Sequence, residues 1–460
     1  MIRILFWAFL FSAFPVFGQD SRNIELLDRW EDDNLVVFTH GMRYNECWGF
    51  EHNGNEYAVA GSTEGTHFFL INDDDKFVPV GFIEGNYAHG SVIHRDFKSY
   101  QHYIYSVCDE GLSSLQIIDI SNLPNSVSLV KEDSVNFARA HNIFIDTSNA
   151  IMYACTVAGS SGGTILPAAS MRVYSLNDPL NPNLLWTGPN DIPEVHDAYV
   201  RNNIAYLNCG FDGLRVYDFS NPSSPLFIQN LGFYQEQGYN HQGWLSPDGT
   251  KYVFADETNG KKVKFCEVED NQVTIRGYFG TNYEKNSVPH NIVLSDRFAY
   301  VAYYNEGLRI YDMNELPPKE VAHFDTHPEE EGPFTMNGAW GVYPELSSGR
   351  VLVSDRRNGL FLFRFRDDIL EGTNGNELVV FSNPSAQGST IQFKIDNPSV
   401  EQFNYRIIDM MGKVIEEKTV LKQSYFTTTI PLSVGLYNLQ VDYQDYLDDT
   451  IKLHQKIMVY

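Results

Sequence analysis

The stretch Gly213-Leu214-Arg215-Val216-Tyr217-Asp218-Phe219-Ser220, followed by Asn221-Pro222, decides the fold because the chain repeats it. It returns as Gly307-Leu308-Arg309-Ile310-Tyr311-Asp312-Met313. Looser copies begin at Leu115, Met171 and Leu360, and weaker ones at His67 and Val263. The seven starts lie about 43 to 56 residues apart, the period of an array built from one supersecondary unit. Each unit holds several short apolar runs separated by turn residues, which is the pattern of an antiparallel sheet. In the fourth unit the strands are expected at Ala198 to Val200, Ile204 to Cys209, Leu214 to Phe219 and Leu226 to Leu231. Arg201-Asn202-Asn203, Phe211-Asp212-Gly213 and Ser220-Asn221-Pro222 supply the turns. No sustained helical period interrupts them.

Four strands repeated seven times close most naturally into a β-propeller, which leaves few exposed sheet edges. The expected fold is therefore all-β, a seven-bladed β-propeller followed by a small C-terminal β-sandwich. The seventh unit, Met336 to Phe365, has room for only three strands. The expected fourth is Ile24-Glu25-Leu26-Leu27-Asp28-Arg29-Trp30, so that pairing of distant chain segments closes the ring. Residues 20–366 form the propeller on this reading, 367–377 a linker rich in Asp, Glu, Gly and Asn, and 378–460 the sandwich.

Residues 1–19 read as a secretory signal peptide, with Arg3, an apolar run from Leu5 to Phe14, and Val16-Phe17-Gly18 at the cleavage site. That run is too short to span a bilayer, and no other transmembrane candidate follows it. A formal charge of −26 repels phosphate backbones and anionic lipid, so nucleic acid is not an expected partner. The five cysteines, an odd number for an exported chain, read mainly as small buried hydrophobes, because Cys108, Cys155 and Cys209 fall at matching points of successive units.

A second recurrence stands just ahead of each first strand. Its pairs are Trp48-Gly49, Arg95-Asp96, His141-Asn142, His196-Asp197, His241-Gln242, His290-Asn291 and Trp340-Gly341. First strands line the central channel of a propeller, so these residues are expected to ring its mouth as a ligand-binding surface. Imidazole is the commonest metal ligand. Turns between second and third strands should bring Asp109-Glu110, Asp212, Asp256-Glu257, Asn305-Glu306 and Asp355 to the same face. His196, His241, His290, Asp256 and Glu257 are thus candidate ligands for a divalent metal, the one cofactor considered. The competing reading is structural, with polar groups at strand starts satisfying backbone atoms and ordered water. Gly159-Ser160-Ser161-Gly162-Gly163 fits a nucleophile-elbow pattern but lies in a hairpin insertion, and is read as a loop.

Two resemblances add to this. Phe381-Ser382-Asn383-Pro384, Ile408-Asp409-Met410-Met411-Gly412-Lys413-Val414-Ile415, Pro431 to Tyr437 and Lys456 to Val459 resemble the type A sorting domain of the type IX secretion system of Bacteroidetes. Ser382 departs from the proline often found there. The resemblance implies that residues 378–460 engage the secretion machinery and that the protein is secreted or held at the outer-membrane surface. Trp48-Gly49-Phe50 with Glu56 to Gly61, His241 to Leu245, Asp256-Glu257 and Asn337 to Pro344 are similar to landmarks of the LVIVD-repeat, choice-of-anchor B family. That resemblance implies the fold and brings no established reaction. The resulting expectation is a non-catalytic surface protein that binds an extracellular glycan, peptide or protein at the channel mouth. The alternative is a metal-assisted hydrolase or lyase at the same place, with Asp197 or Glu257 as base.

Overall fold

The structure, a computed structural model, describes residues 21–281, 287–328, 336–367, 378–381, 390–395, 402–421, 425–429, 433–444 and 450–459. The expected signal peptide, most of the linker and Ser382-Asn383-Pro384 lie outside these residues.

The fourth unit shows how sequence becomes sheet. Its strands are Asp197–Arg201, Ile204–Asn208, Leu214–Asp218 and Leu226–Leu231, all antiparallel and in chain order. Asn202 and Asn203 both take positive φ, 51° and 67°, which suits a two-residue hairpin whose twist matches its strands. Gly213 has φ 80°, and a Cβ there would run into the Leu231 carbonyl. Asp218 Oδ1 accepts the Ser220 amide at 2.7 Å, forming the turn into the outer strand. Asp119 with Ser121 and Asp312 with Asn314 repeat that contact at 2.8 and 3.0 Å. The recurring Gly-Leu-x-x-x-Asp phrase is scaffold: glycine opens the strand, alternating apolar residues pack it, and aspartate turns the chain.

Seven such sheets follow one another, with inner strands at Tyr44–His52, Arg95–Tyr100, Asn142–Asp146, Asp197–Arg201, Asn240–Leu245, Ile292–Leu294 and Ala339–Tyr343. Each packs on the next through a shared apolar cluster. Sheets one and two share Phe50, Tyr57, Phe68, Phe97 and Ile104. Sheets six and seven share Ile310, Phe324, Val353 and Phe361. The seventh returns to the first through Leu352, Leu360 and Leu362 against Ala58, Phe69 and Ile71. This is a β-propeller.

Ile24–Trp30 supplies the outer strand of the seventh sheet, paired antiparallel with Gly359–Phe365, as the length of that unit requires. Just before it, Ser21–Arg22 adds a fifth strand to sheet six, which the sequence did not suggest. Asn23, at φ 54°, switches the chain between the two sheets, and its side-chain amide donates to the Val321 carbonyl at 2.8 Å. The third sheet carries the expected insertion, a small hairpin (Ser160–Ser161 with Thr164–Ile165) around Gly162 and Gly163. All five cysteines are buried and free.

The C-terminal segment forms two sheets. One holds Leu378–Phe381, Thr390–Ile395 and Tyr425–Thr429. The other orders Val414–Leu421, Gln402–Asp409, Gly435–Gln444 and Thr450–Val459. Phe393 and Ile395 of the first pack on Phe403, Tyr405, Leu439 and Ile457 of the second, which makes a sandwich. Its Asp409-Met410-Met411-Gly412-Lys413 signature is a turn, in which Asp409 Oδ1 accepts the amides of Met411 and Lys413, both at 2.9 Å. Gly412 takes φ 86° there. No helix among the described residues is long and apolar enough to cross a membrane.

Candidate functional site: imidazoles at one end of the channel

In a propeller the inner strands of neighbouring sheets do not pair, so each presents an unpaired edge to the channel. Buried amides and carbonyls on that edge need partners. Side chains from adjoining sheets supply several. Asp96 Oδ2 accepts the Ile143 amide, and Gln242 Oε1 the Ile292 amide, each at 2.8 Å. The Asn142 side chain donates to the His196 carbonyl at 3.2 Å. His196 Nδ1 meets the His241 carbonyl at 3.0 Å, and His290 Nδ1 the Trp340 carbonyl at 2.7 Å. Many of the predicted channel residues therefore stitch one sheet to the next.

Three tiers result. The first is a closed ring of aromatic side chains. Ring centroids run from His94 to His141 at 5.1 Å, then to His196, His241 and His290 in steps of 4.2 Å. Trp340 follows at 3.8 Å and returns to His94 at 5.3 Å. The second tier is Glu46, Asp96, Asn142, Asp197, Gln242 and Asn291, which line a cavity of about 40 Å³, room for water only. The third lies two residues further along each strand and includes Trp48, Lys98, Phe144, Trp244 and Tyr343. Alternation along a strand puts tiers two and three on one face. The adjacent ring residue joins them because it either precedes the ladder or sits in a bulge, as His241 and Trp340 do.

Eight of the expected positions are placed differently: Asp96, Asn142, Asp197, Gln242 and Asn291 stand in the second tier behind the ring and not at the mouth, and three more are displaced further. Trp48 is in the third tier, under the Lys98 ammonium at 4.6 Å, and is not part of the ring. Arg95 turns away, its guanidinium donating to the carbonyls of Ser62 and Tyr87 at 2.8 and 3.1 Å. His94, one residue earlier, fills the ring instead. Asp256 is fully buried and committed elsewhere, to Lys264 at 2.9 Å, the Tyr234 hydroxyl at 2.9 Å and the Gly238 amide at 2.6 Å. The sequence reading also missed Glu46 and Lys98. Glu46 stands in a bulge between Tyr44 and Cys47, and it reaches across to accept the Asn291 amide group at 2.6 Å. A two-residue step from Trp48 back to Glu46, and from Asp96 on to Lys98, is the signal that would have found both.

Carboxylates from the second-to-third-strand turns reach the ring. Asp109 Oδ2 lies 2.8 Å from His141 Nδ1, and Glu110 Oε1 2.5 Å from His94 Nδ1. Glu257 Oε2 lies 3.8 Å from His241 Nε2, while its Oε1 accepts the Tyr304 hydroxyl. The Arg356 guanidinium stacks on Trp340 at 4.3 Å, with Nε and one terminal nitrogen buried without a hydrogen-bond partner. Burial, reinforced by neighbouring imidazoles, holds His196, His241 and His290 well below the usual histidine range, so all three are neutral. Burial also opposes charge on His141, but Asp109, Asp197 and Glu110 together outweigh it and raise its pKa. In the second tier burial, aided by Asp96, lifts Glu46 to about 8, and burial lifts Asp197 to about 7. Burial works against the Lys98 ammonium, yet Asp96 and Asp197 keep it charged.

This fold and site define an all-β propeller with a polar, histidine-ringed channel and a detached-composition sandwich behind it in sequence. The LVIVD repeat model matches residues 194–231 and 289–326, which are sheets four and six. The secretion system C-terminal sorting domain model matches residues 379–459, the whole sandwich. None of the curated proteins matches the chain. The chain thus carries LVIVD repeats and a type IX sorting tail, and it is exported through that machinery to the cell surface or extracellular space.

Proposed function

We propose that the propeller is a non-catalytic binding protein that holds an extracellular glycan, peptide or protein against the ringed end of its channel. One observation carries this reading: five imidazoles and a tryptophan close a ring whose edge bears Asp109, Glu110 and Glu257, in a protein sent outside the cell. His94, His141, Asp109, Glu110, Glu257 and Tyr239 are partly exposed there and offer donors, acceptors and an aromatic face, while His196, His241, His290 and Trp340 are themselves buried. Phe211, 76% exposed, packs edge-on against Tyr239 at 5.2 Å, and Tyr239 in turn against His196 at 5.3 Å, extending the aromatic surface outward. The space behind the ring admits water only, so a ligand would rest on the end and not thread the channel. The ring's hydrogen bonds into the sheets favour a rigid, preorganised surface, which lowers the cost of binding.

An array of bacterial and host glycans and of peptides, probed with the exported chain, tests this. Mass spectrometry of the retained compound then separates the two readings. A compound recovered intact after long incubation supports binding; a compound returned cleaved or with an eliminated group supports the hydrolase or lyase instead.

A further inference from the structure

We infer that the ring holds one zinc-class divalent cation, bound by His196 Nε2, His241 Nε2 and a Glu257 carboxylate oxygen. The inference deepens the binding reading by giving its surface a Lewis-acidic centre. It narrows the five candidate ligands of the sequence to three.

The geometry comes first. One donor atom from each of His196, His241 and Glu257 lies within 4.8 Å of the other two, and His241 Nε2 to Glu257 Oε2 is already 3.8 Å. Tetrahedral zinc with bonds of ~2.0–2.1 Å needs donors roughly 3.3 Å apart, so His241 and Glu257 have to draw in by about 0.5 Å and the wider pairs by up to about 1.5 Å. A fourth position stays open for water or a ligand group.

Tautomers point the same way. A carbonyl oxygen only accepts, so His196 Nδ1, 3.0 Å from the His241 carbonyl, carries the ring proton. Its Nε2 is left with a lone pair. A backbone carbonyl on the far nitrogen is the arrangement that fixes zinc-binding imidazoles in orientation. Glu257 is fixed likewise, with Oε1 held by Tyr304 and Oε2 turned to His241.

Two imidazoles with one carboxylate favour zinc over calcium or magnesium, which prefer all-oxygen shells.

The test titrates Zn2+ into the full chain, stripped with a chelator, and follows heat and melting temperature. Uptake of one equivalent is expected, with a rise in melting temperature and at least tenfold weaker binding in His241→Ala and in Glu257→Gln. His52→Ala, in a hairpin at the far end of sheet one, should bind like the parent. A variant-free reading comes from Co2+, whose strong visible bands in a tetrahedral field are expected from the parent chain. No saturable Zn2+ uptake, an octahedral Co2+ spectrum, or affinity unchanged in both ring variants would overturn the inference. Ligand capture on the array by metal-free protein that takes up no cation would end this inference alone and leave the binding reading standing.

Discussion

At the scale of single residues, Glu46 and Gly341 show how the channel interior is fitted together. The seventh inner strand has glycine where other strands carry a polar side chain, and Glu46 occupies that space; a Cβ on Gly341 would overlap its Oε1. Gly341→Ala should therefore destabilise the protein by about 2–3 kcal/mol through overpacking and displacement of Glu46. Combined with Glu46→Ala, the loss in a urea titration should fall well short of the sum. Glu46 also carries a pH signature. In the unfolded chain it titrates near its ordinary 4.5, and in the folded chain near 8. Between those values the folded protein holds a proton that the unfolded chain has released, so stability falls as pH rises from about 4.5 to 8. Glu46→Gln leaves one of its two donors, the Asn291 side-chain amide or the Cys47 backbone amide, without an acceptor, costing about 1 kcal/mol at pH 5. It should gain on the order of 2–4 kcal/mol relative to the parent by pH 9, where the parent buries a charge. Melting curves at the two pH values should cross over; parallel curves would contradict the placement.

At the scale of elements, the strands were the most legible part. Period-two apolar runs and Asn, Asp and Gly turns placed the fourth sheet to within a residue or two, and Leu226–Leu231 without error. The need for a distant fourth strand followed from counting, and Ile24–Trp30 supplies it. Bulges were not legible. They change which side chain faces the channel without altering composition: the one between Tyr44 and Cys47 turns Glu46 inward and leaves Trp48 in the third tier, whereas Arg95 was expected in the ring because His94 stands just ahead of a regular ladder. Ser21–Arg22 was missed because two residues carry no period. Commitments such as that of Asp256 to Lys264 depend on contacts that spacing does not encode. Trp30 tests the closing strand. It packs on Tyr44, His67 and Phe69 of the first sheet, at 5.5, 4.7 and 4.7 Å. Trp30→Ala should cost about 3 kcal/mol in a denaturant titration, while an equivalent change at Phe233, 97% exposed, should cost almost nothing.

At the scale of the whole molecule, the chain divides its tasks. The repeats build a ring, the ring's unpaired inner edges recruit polar side chains, and those side chains leave imidazoles and carboxylates gathered at one end. The C-terminal sandwich is the export signal. A chain lacking residues 378–460 should remain in the periplasm when cells are fractionated, with the propeller folded; its arrival at the surface would contradict that division. The most direct measurement is the affinity of the array-retained compound for the parent chain and for His196→Ala/His241→Ala, at matched melting temperature. The account predicts at least a tenfold loss in the double variant. An unchanged affinity would place the binding surface elsewhere on the propeller and contradict it.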